Sequence, residues 1–403
     1  MEDGPDACAH LAKAAAALAV LSLLPVALSG SAPSHASAVL PPISSLVPSA
    51  DSAGVFPWSS PLFAAFRYDR GQVLGTYVQF AYDDSSGTVR SVLGLAGDAP
   101  VLYIGSIEIA GFAPARGASA HGPTFQAEGY LATITAHDDP TALLEIRTDV
   151  ARTAAIELPA GATNISVQTA PGSWPASSVS YTVGDEQARF LLGAGSFSVQ
   201  GIRVVAKMAD ADLLVFKSVP PSAENRGEWL ALLDAIGAGH IVAELDLVAT
   251  ADGGWVQNAV QYRLGVSGWA LDVEPGHASV QVDSLLPGGA TVLLAFDPAT
   301  MPFNAPTELQ IRANAGEANR TESPLALFSS EPRSRGASYS VLSFPGTVVA
   351  LYLPSLAAVS IEVVSSRPNA LPAGLQADSE IAMIAALAIV SAAAARMLRR
   401  KNE

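Results

Sequence analysis

The sequence predicts a mostly β-structured protein: tandem β-sandwich-like modules, preceded by an N-terminal signal helix and followed by a C-terminal transmembrane helix. Three observations lead there. Short β-branched and aromatic segments recur between turn clusters, a 34-residue stretch recurs at a spacing of 81 residues, and an uncharged apolar run stands near each end.

At 403 residues the chain has the length of two or three domains. Half of it is apolar and 15% is charged, which supports packed cores and argues against wholesale disorder. The formal net charge is -15; so acidic a surface repels phosphate backbones, and nucleic acid is not expected as a partner. Lysine is scarce, with Lys13, Lys207, Lys217 and Lys401 the only four. Residues 39–376 carry 17 basic and 31 acidic side chains, whereas Arg396, Arg399, Arg400 and Lys401 cluster at the end of the chain. The single cysteine, Cys8, rules out an intramolecular disulfide, so the fold rests on packing.

The N-terminal run Ala14–Leu28 is 15 residues long, which fits the apolar core of a secretory signal better than a full span. Lys13 precedes it, and Gly30-Ser31-Ala32 and Ala36-Ser37-Ala38 offer small residues for cleavage. The acidic leader residues Glu2, Asp3 and Asp6 leave an uncleaved signal anchor as the alternative, and both send the following domain outward. The C-terminal run Ile381–Ala395 is also uncharged and reaches about 18 residues if Arg396 snorkels, the lower limit of a spanning helix. Its only polar residue is Ser391, so no polar stripe marks it as amphipathic. Positive residues stay in the cytoplasm, so the expected placement is a single-pass cell-membrane protein with its body extracytoplasmic and its C-terminus cytoplasmic. Leu371-Pro372-Ala373-Gly374, the apolar run and the basic tail resemble the three-part sorting signals of sortase and archaeosortase substrates. The threonine of the one and the Glu-Phe pair of the other are missing, so the helix itself is the expected anchor, with membrane lipid as its partner.

Residues 29–57 are rich in Ser, Pro and Ala and have the composition of a linker, and residues 365–376 are similar. Between them, Gln72–Tyr82 and Thr88–Leu93 flank the turn cluster at 83–87 as a hairpin. Phe125–Ala136 and Leu143–Arg147 flank His137-Asp138-Asp139-Pro140, and Ala154–Leu158 and Asn164–Gln168 flank Pro159-Ala160-Gly161-Ala162. Glu228–Ile236 is the one helix expected in the body, with Trp229, Leu232, Leu233 and Ile236 on one face and Gly237 as its stop.

The stretch Val167–Gln200 matches Val248–Gln281 without a gap at Trp174/Trp255, Val179/Val260, Tyr181/Tyr262 and Gly184/Gly265, among other pairs. After a one-residue deletion, Leu213-Leu214 and Phe216 match Leu293-Leu294 and Phe296. One supersecondary unit used twice accounts for this, with Trp174, Tyr181, Trp255 and Tyr262 as the paired core. The functional alternative is that these aromatics line a glycan or ligand cleft. The expected organisation is then a signal peptide at 1–38, a linker at 39–57, an N-terminal β domain at 58–148 and a first repeat at 149–222. A second repeat with a short helix follows at 223–305, then a β segment at 306–364, a stalk at 365–380, a transmembrane helix at 381–398 and a cytoplasmic tail at 399–403.

No catalytic constellation, cofactor loop or metal-ligand spacing occurs: the six histidines stand apart, and G-x-S-x-G, phosphate-loop and H-E-x-x-H patterns are missing. The densest polar cluster is His137-Asp138-Asp139, which turn chemistry before Pro140 explains with fewer assumptions than a metal ion. Asn164-Ile165-Ser166 and Asn319-Arg320-Thr321 are possible N-glycosylation acceptors.

On His137–Thr141 before a Leu/Ile strand, the turn Leu158–Gly161, and the run Ala235–His240, the body resembles uncharacterised secreted cell-surface proteins of ammonia-oxidising and methanogenic archaea. That resemblance implies a surface location and brings no catalytic residues. The expectation is a membrane-anchored extracytoplasmic protein with a structural or interaction role, not an enzyme, with envelope proteins or glycans as partners. The alternatives are an exported binding module for a small molecule, glycan or metal ion, and an extracytoplasmic hydrolase.

Overall fold

The computed structural model describes residues 60–170, 174–219, 226–250, 254–286, 288–303, 305–328, 336–344 and 346–366. The expected signal, linker, transmembrane helix and tail lie outside these residues, as does the expected stalk beyond residue 366. No helix among the described residues is long and apolar enough to cross a membrane.

The body is mostly β, in four sheets. In chain order the first strands are β1 (Arg67–Asp69), β2 (Gln72–Leu74), β3 (Val78–Asp83), β4 (Thr88–Gly94), β5 (Val101–Ile109), β6 (Ser119–His121), β7 (Thr124–Glu128) and β8 (Ala132–His137). Then come β9 (Leu144–Thr148), β10 (Arg152–Glu157), β11 (Ala162–Thr169), β12 (Ser177–Val183), β13 (Glu186–Leu192), β14 (Ser196–Gln200), β15 (Arg203–Met208) and β16 (Asp212–Ser218). Helix α1 (Arg226–Gly237) precedes β17 (Ile241–Ala249), β18 (Trp255–Gln261), β19 (Val266–Glu274), β20 (His277–Ser284) and β21 (Ala290–Phe296). The last are β22 (Leu309–Ala313), β23 (Gly316–Glu317), β24 (Asn319–Arg320), β25 (Ser338–Phe344), β26 (Gly346–Leu353) and β27 (Val359–Ser365).

Two eight-stranded sheets form the first sandwich, ordered β1-β2-β3-β4-β5-β10-β15-β14 and β11-β12-β13-β16-β9-β8-β7-β6. Their core is aromatic, with Phe80 against Phe125 at 5.2 Å and Phe190 against Phe216 at 4.9 Å between ring centroids. The second sandwich pairs the sheets β18-β17-β21-β26-β25-β24 and β19-β20-β27-β22-β23 around an aliphatic core that includes Leu294, Phe296 and Ile361. A third apolar layer joins them. There Leu213 and Val215 of β16 meet α1 and the outward face of the second sandwich, at Val260, Leu293 and Ala350.

Strands β16 and β21 are therefore covered on both faces, which is why Leu213–Phe216 and Val292–Phe296 read as unbroken apolar runs. In both, the first leucine (Leu213, Leu293) faces the middle layer, and the second with its phenylalanine (Leu214 and Phe216, Leu294 and Phe296) faces its own sandwich core. The matched sequence stretches fall on corresponding strands in this respect, but their pairing differs. β13 stays beside β12, whereas β19 crosses to the other sheet; β16 runs antiparallel to β13, whereas β21 runs parallel to β17.

The expected boundary at 148/149 falls inside the first sandwich, because β10 lies between β5 and β15 and β16 lies between β13 and β9. Two expected single strands are split. Gln72–Tyr82 turns at Gly75 into the antiparallel pair β2–β3, and Phe125–Ala136 turns at Gly129 into β7–β8. Helix α1 is where the periodicity puts it, with Gly237 as its last residue, and the chain turns away at Gly239. Gly239 adopts φ +73, its N–H donates to Ile236 and the N–H of His240 donates to Ala235, closing the helix in a left-handed turn that glycine alone adopts without penalty.

A fragment ending at residue 148 lacks β10 and β16, which cover one side each of β5 and β9, so it should show no cooperative thermal transition by circular dichroism. A sharp transition in that fragment would contradict the interleaved topology.

Candidate functional site

The densest polar constellation lies in the layer between the sandwiches. Strand alternation puts it there, since residues i and i+2 share a face. On β16, Lys217 follows Leu213 and Val215 into that layer; on β17, Glu244 and Asp246 alternate with the core residues Leu245 and Leu247. On and just beyond β18, Asn258 and Tyr262 share the face of Val260, and Glu145 of β9 alternates with Leu144 and Ile146.

Lys217 Nζ lies 2.7 Å from Glu244 Oε2 and donates to the Tyr262 hydroxyl at 2.6 Å, and that hydroxyl donates to Glu244 in turn. The ammonium also stands 5.2 Å from the centre of the Tyr262 ring. A second crossing runs through histidine. His137 Nδ1 meets Asn258 Oδ1 at 2.5 Å, Asn258 Nδ2 donates to Asp246 at 2.9 Å, and His137 Nε2 lies 3.5 Å from Glu145. The Gln261 amide also donates to Glu145 across the layer, at 3.3 Å.

The two aspartates before Pro140 do different work. Asp139 accepts from the Thr141 amide and hydroxyl at 2.7 and 2.6 Å, the local turn chemistry that the sequence predicts. Asp138 instead accepts the amides of Thr76, Tyr77 and Val78, which builds the β2–β3 turn from 60 residues away in sequence. A Cβ at Gly75 would fall 2.3 Å from that carboxylate, so the turn requires glycine.

Burial governs the protonation of this layer. Desolvation pushes Asp138 up to about 7 against the pull of its three amide donors. It raises Asp139 despite Lys217, and it raises Asp246 well above the carboxylate range with help from the Glu244 charge. For Glu244 desolvation is again the largest influence, but Lys217 and the Tyr262 hydroxyl outweigh it and hold the carboxyl low. Desolvation would lower both Lys217 and His137; the facing carboxylates, Glu244 for the lysine and Glu145 for the histidine, raise both instead.

The layer leaves a cavity of about 30 Å³ beside Asp139, Glu244 and Asp246, room for about one water molecule. Lys217 is 2% exposed and Tyr262 is fully buried, so neither side chain is presented to solvent. No group of three or more His, Cys, Asp or Glu among the described residues is arranged to hold a metal ion; Lys217 supplies the positive charge among these carboxylates. The arrangement fastens one sandwich to the other.

The aromatic residues matched by the repeat have unlike surroundings. Tyr181 is in the first core and donates to the Tyr103 carbonyl at 2.7 Å, whereas Tyr262 faces the charged layer. Trp174 is half-buried ahead of β12, and Trp255 is 36% exposed at the start of the edge strand β18, where no sheet covers it. Neither tryptophan lies in a sandwich core. Both glycosylation acceptors are exposed: Asn164 on β11, with φ +52 at a register shift, and Asn319 on β24. Sequence reasoning missed Lys217, Glu244, Asp246, Asn258 and Glu145; the available signal was charge at alternate positions of otherwise apolar strands, as in Ala243-Glu244-Leu245-Asp246-Leu247.

A second feature is an open groove of about 380 Å³ where loops of the first sandwich meet the β18–β19 turn, lined by Trp174, Gly193, Ala194, Asp212, Arg263 and Leu264 among others.

No family model matches the chain, and no curated protein matches it. Similar solved structures include a family 81 glycoside hydrolase from Clostridium thermocellum, at 10% identity over 76% of this chain and 38% of that one, with a TM-score of 0.31. A YidC insertase matches at 8% identity over 43% of this chain and 46% of that one, with a TM-score of 0.24. YidC from Thermotoga maritima matches at 9% identity over 43% and 56%, with a TM-score of 0.21. The chain thus spans less than two thirds of the length of each, and likeness at this level defines neither a family nor an activity.

Two outcomes test the charged layer. Lys217→Met leaves Glu244 and its neighbours without their cation and should cost about 3–5 kcal/mol of stability in denaturant unfolding at pH 7, less at pH 5 where the carboxylates take up protons. Asp138, Asp139, Asp246 and His137 bind protons more tightly folded than unfolded. For the carboxylates that stability is complete below about pH 4 and, for Asp138, is lost as pH rises through about 7. The melting temperature should therefore fall from pH 5 to pH 8, and Asp138→Asn should flatten that slope while lowering the whole curve.

Proposed function

We propose that the chain is a membrane-anchored, extracytoplasmic β-rich surface protein with a structural or interaction role. The observation that carries the role is the charged layer between the sandwiches. The densest titratable cluster among the described residues is buried, pairs internally and joins the two sandwiches, which supports a mechanical role for it. The placement rests on the sequence: the apolar run at 381–395, the basic cluster after it, and the signal-like run at 14–28. The interacting partners of this reading are membrane lipid through the C-terminal helix, and envelope proteins or glycans around the body. A second reading, an exported binding module for a small molecule or glycan, is favoured by the groove beside Trp174 and Arg263.

Protease treatment of intact cells carrying a tag at each end should remove the body and leave the C-terminal tag protected. The protected fragment should stay with the membrane after alkaline carbonate extraction. A body that survives protease until the cells are lysed would contradict the placement.

A further inference from the structure

We propose that the groove beside Trp174 and Arg263 binds a carboxylated sugar, the guanidinium pairing with the carboxylate and the indole lying against the ring. Its volume of about 380 Å³ falls in the range of small-molecule sites, and it sits at a junction between sandwiches, where such sites gather.

Its walls are fixed. Asp212 is 1% exposed, and its carboxylate accepts the amides of Ala194, Leu213 and Ala209 at 2.9, 2.8 and 2.9 Å, which ties the β13–β14 and β15–β16 turns together. The Trp174 indole occupies space that only glycine leaves free, since a Cβ at Gly193 would lie 1.9 Å from its Cζ3. At Gly239, which α1 needs for its stop, a Cβ would lie 2.1 Å from the Trp174 carbonyl oxygen. The aromatic wall is thus held in place before any ligand arrives, which limits the ordering penalty of binding.

Arg263 supplies the charge. It is half-buried, and among the described residues its guanidinium has no carboxylate, hydroxyl or carbonyl partner, unlike Arg147, Arg189 and Arg226, which pair with Glu145, Asp234 and Glu186. In a chain with a net charge of -15, an unpaired guanidinium beside a groove is available to an anion from outside. Its planar fork matches a carboxylate in two parallel hydrogen bonds. The C–H face of a pyranose is complementary to the negative face of an indole, and the small side chains at Gly193, Ala194 and Ala211 leave room for such a ring. A ligand that offers both features is a hexuronate unit. This inference deepens the binding-module reading, and the membrane placement enters only as the source of the sugar.

The test is calorimetric titration of the purified full-length protein in detergent with sodium D-glucuronate, alongside D-glucose and sodium acetate. Glucuronate should bind saturably and more tightly than either control, since each of these presents one feature alone. Arg263→Gln should weaken binding about tenfold or more, while Arg203→Gln, at an exposed position of β15, should leave it unchanged. Trp174→Phe should retain the fold and weaken binding for both ring-bearing probes. Absence of saturable binding up to about 10 mM, or an Arg263→Gln variant that binds as the parent does, would overturn the proposal. Neither result bears on the protease experiment, so the placement and the groove stand or fall separately.

Discussion

Lys217 brings a full positive charge into a layer where it is 2% exposed, and that constraint organises the middle of the molecule. An ammonium removed from water is destabilising by several kcal/mol unless anions and hydrogen-bond acceptors replace the lost hydration. The replacements come from the other sandwich, as Glu244 of β17 and the hydroxyl of Tyr262 just past β18. Separating the sandwiches would re-expose the apolar surface around Leu213, Val215 and Leu293 and break a matched charge pair at once. Apolar burial supplies the attraction, and the ion pair fixes which register of the two sheets is allowed.

The layer holds more carboxylates than cations. Asp139, Glu244 and Asp246 surround Lys217, and three full negative charges there would repel one another strongly in a dry environment. Burial favours the protonated forms of Asp246 and Asp139, whereas Glu244, which has Lys217 at 2.7 Å, is held towards its charged form. His137 links this set to Glu145 through a ring that contacts both sandwiches.

Much of the architecture was legible because strands and helices have local periods. The strand after Pro140, the strands on either side of Pro159, and helix α1 are where alternation and the 3.6-residue repeat place them. The turns at Gly75 and Gly129 were not legible, since each glycine sits inside a segment with strand composition. What bends the chain at Gly75 is Asp138, 63 positions away, and no local rule carries that distance. The joint was hidden for the same reason. Lys217 ends a run that looks like an ordinary strand, and its burial follows only once β16 is known to be covered on both faces. The 81-residue similarity agrees with the in-out alternation of β16 and β21 but not with that of β12 and β18, where Val179 and Tyr181 face the first core and Val260 and Tyr262 face the joint.

If the charged layer makes one mechanical body of the two sandwiches, they must unfold together. Scanning calorimetry of the detergent-solubilised chain at pH 5 measures this directly. The account predicts a single endotherm whose van't Hoff and calorimetric enthalpies agree. Two resolved endotherms, one for each sandwich, would show that the layer joins nothing and would contradict it.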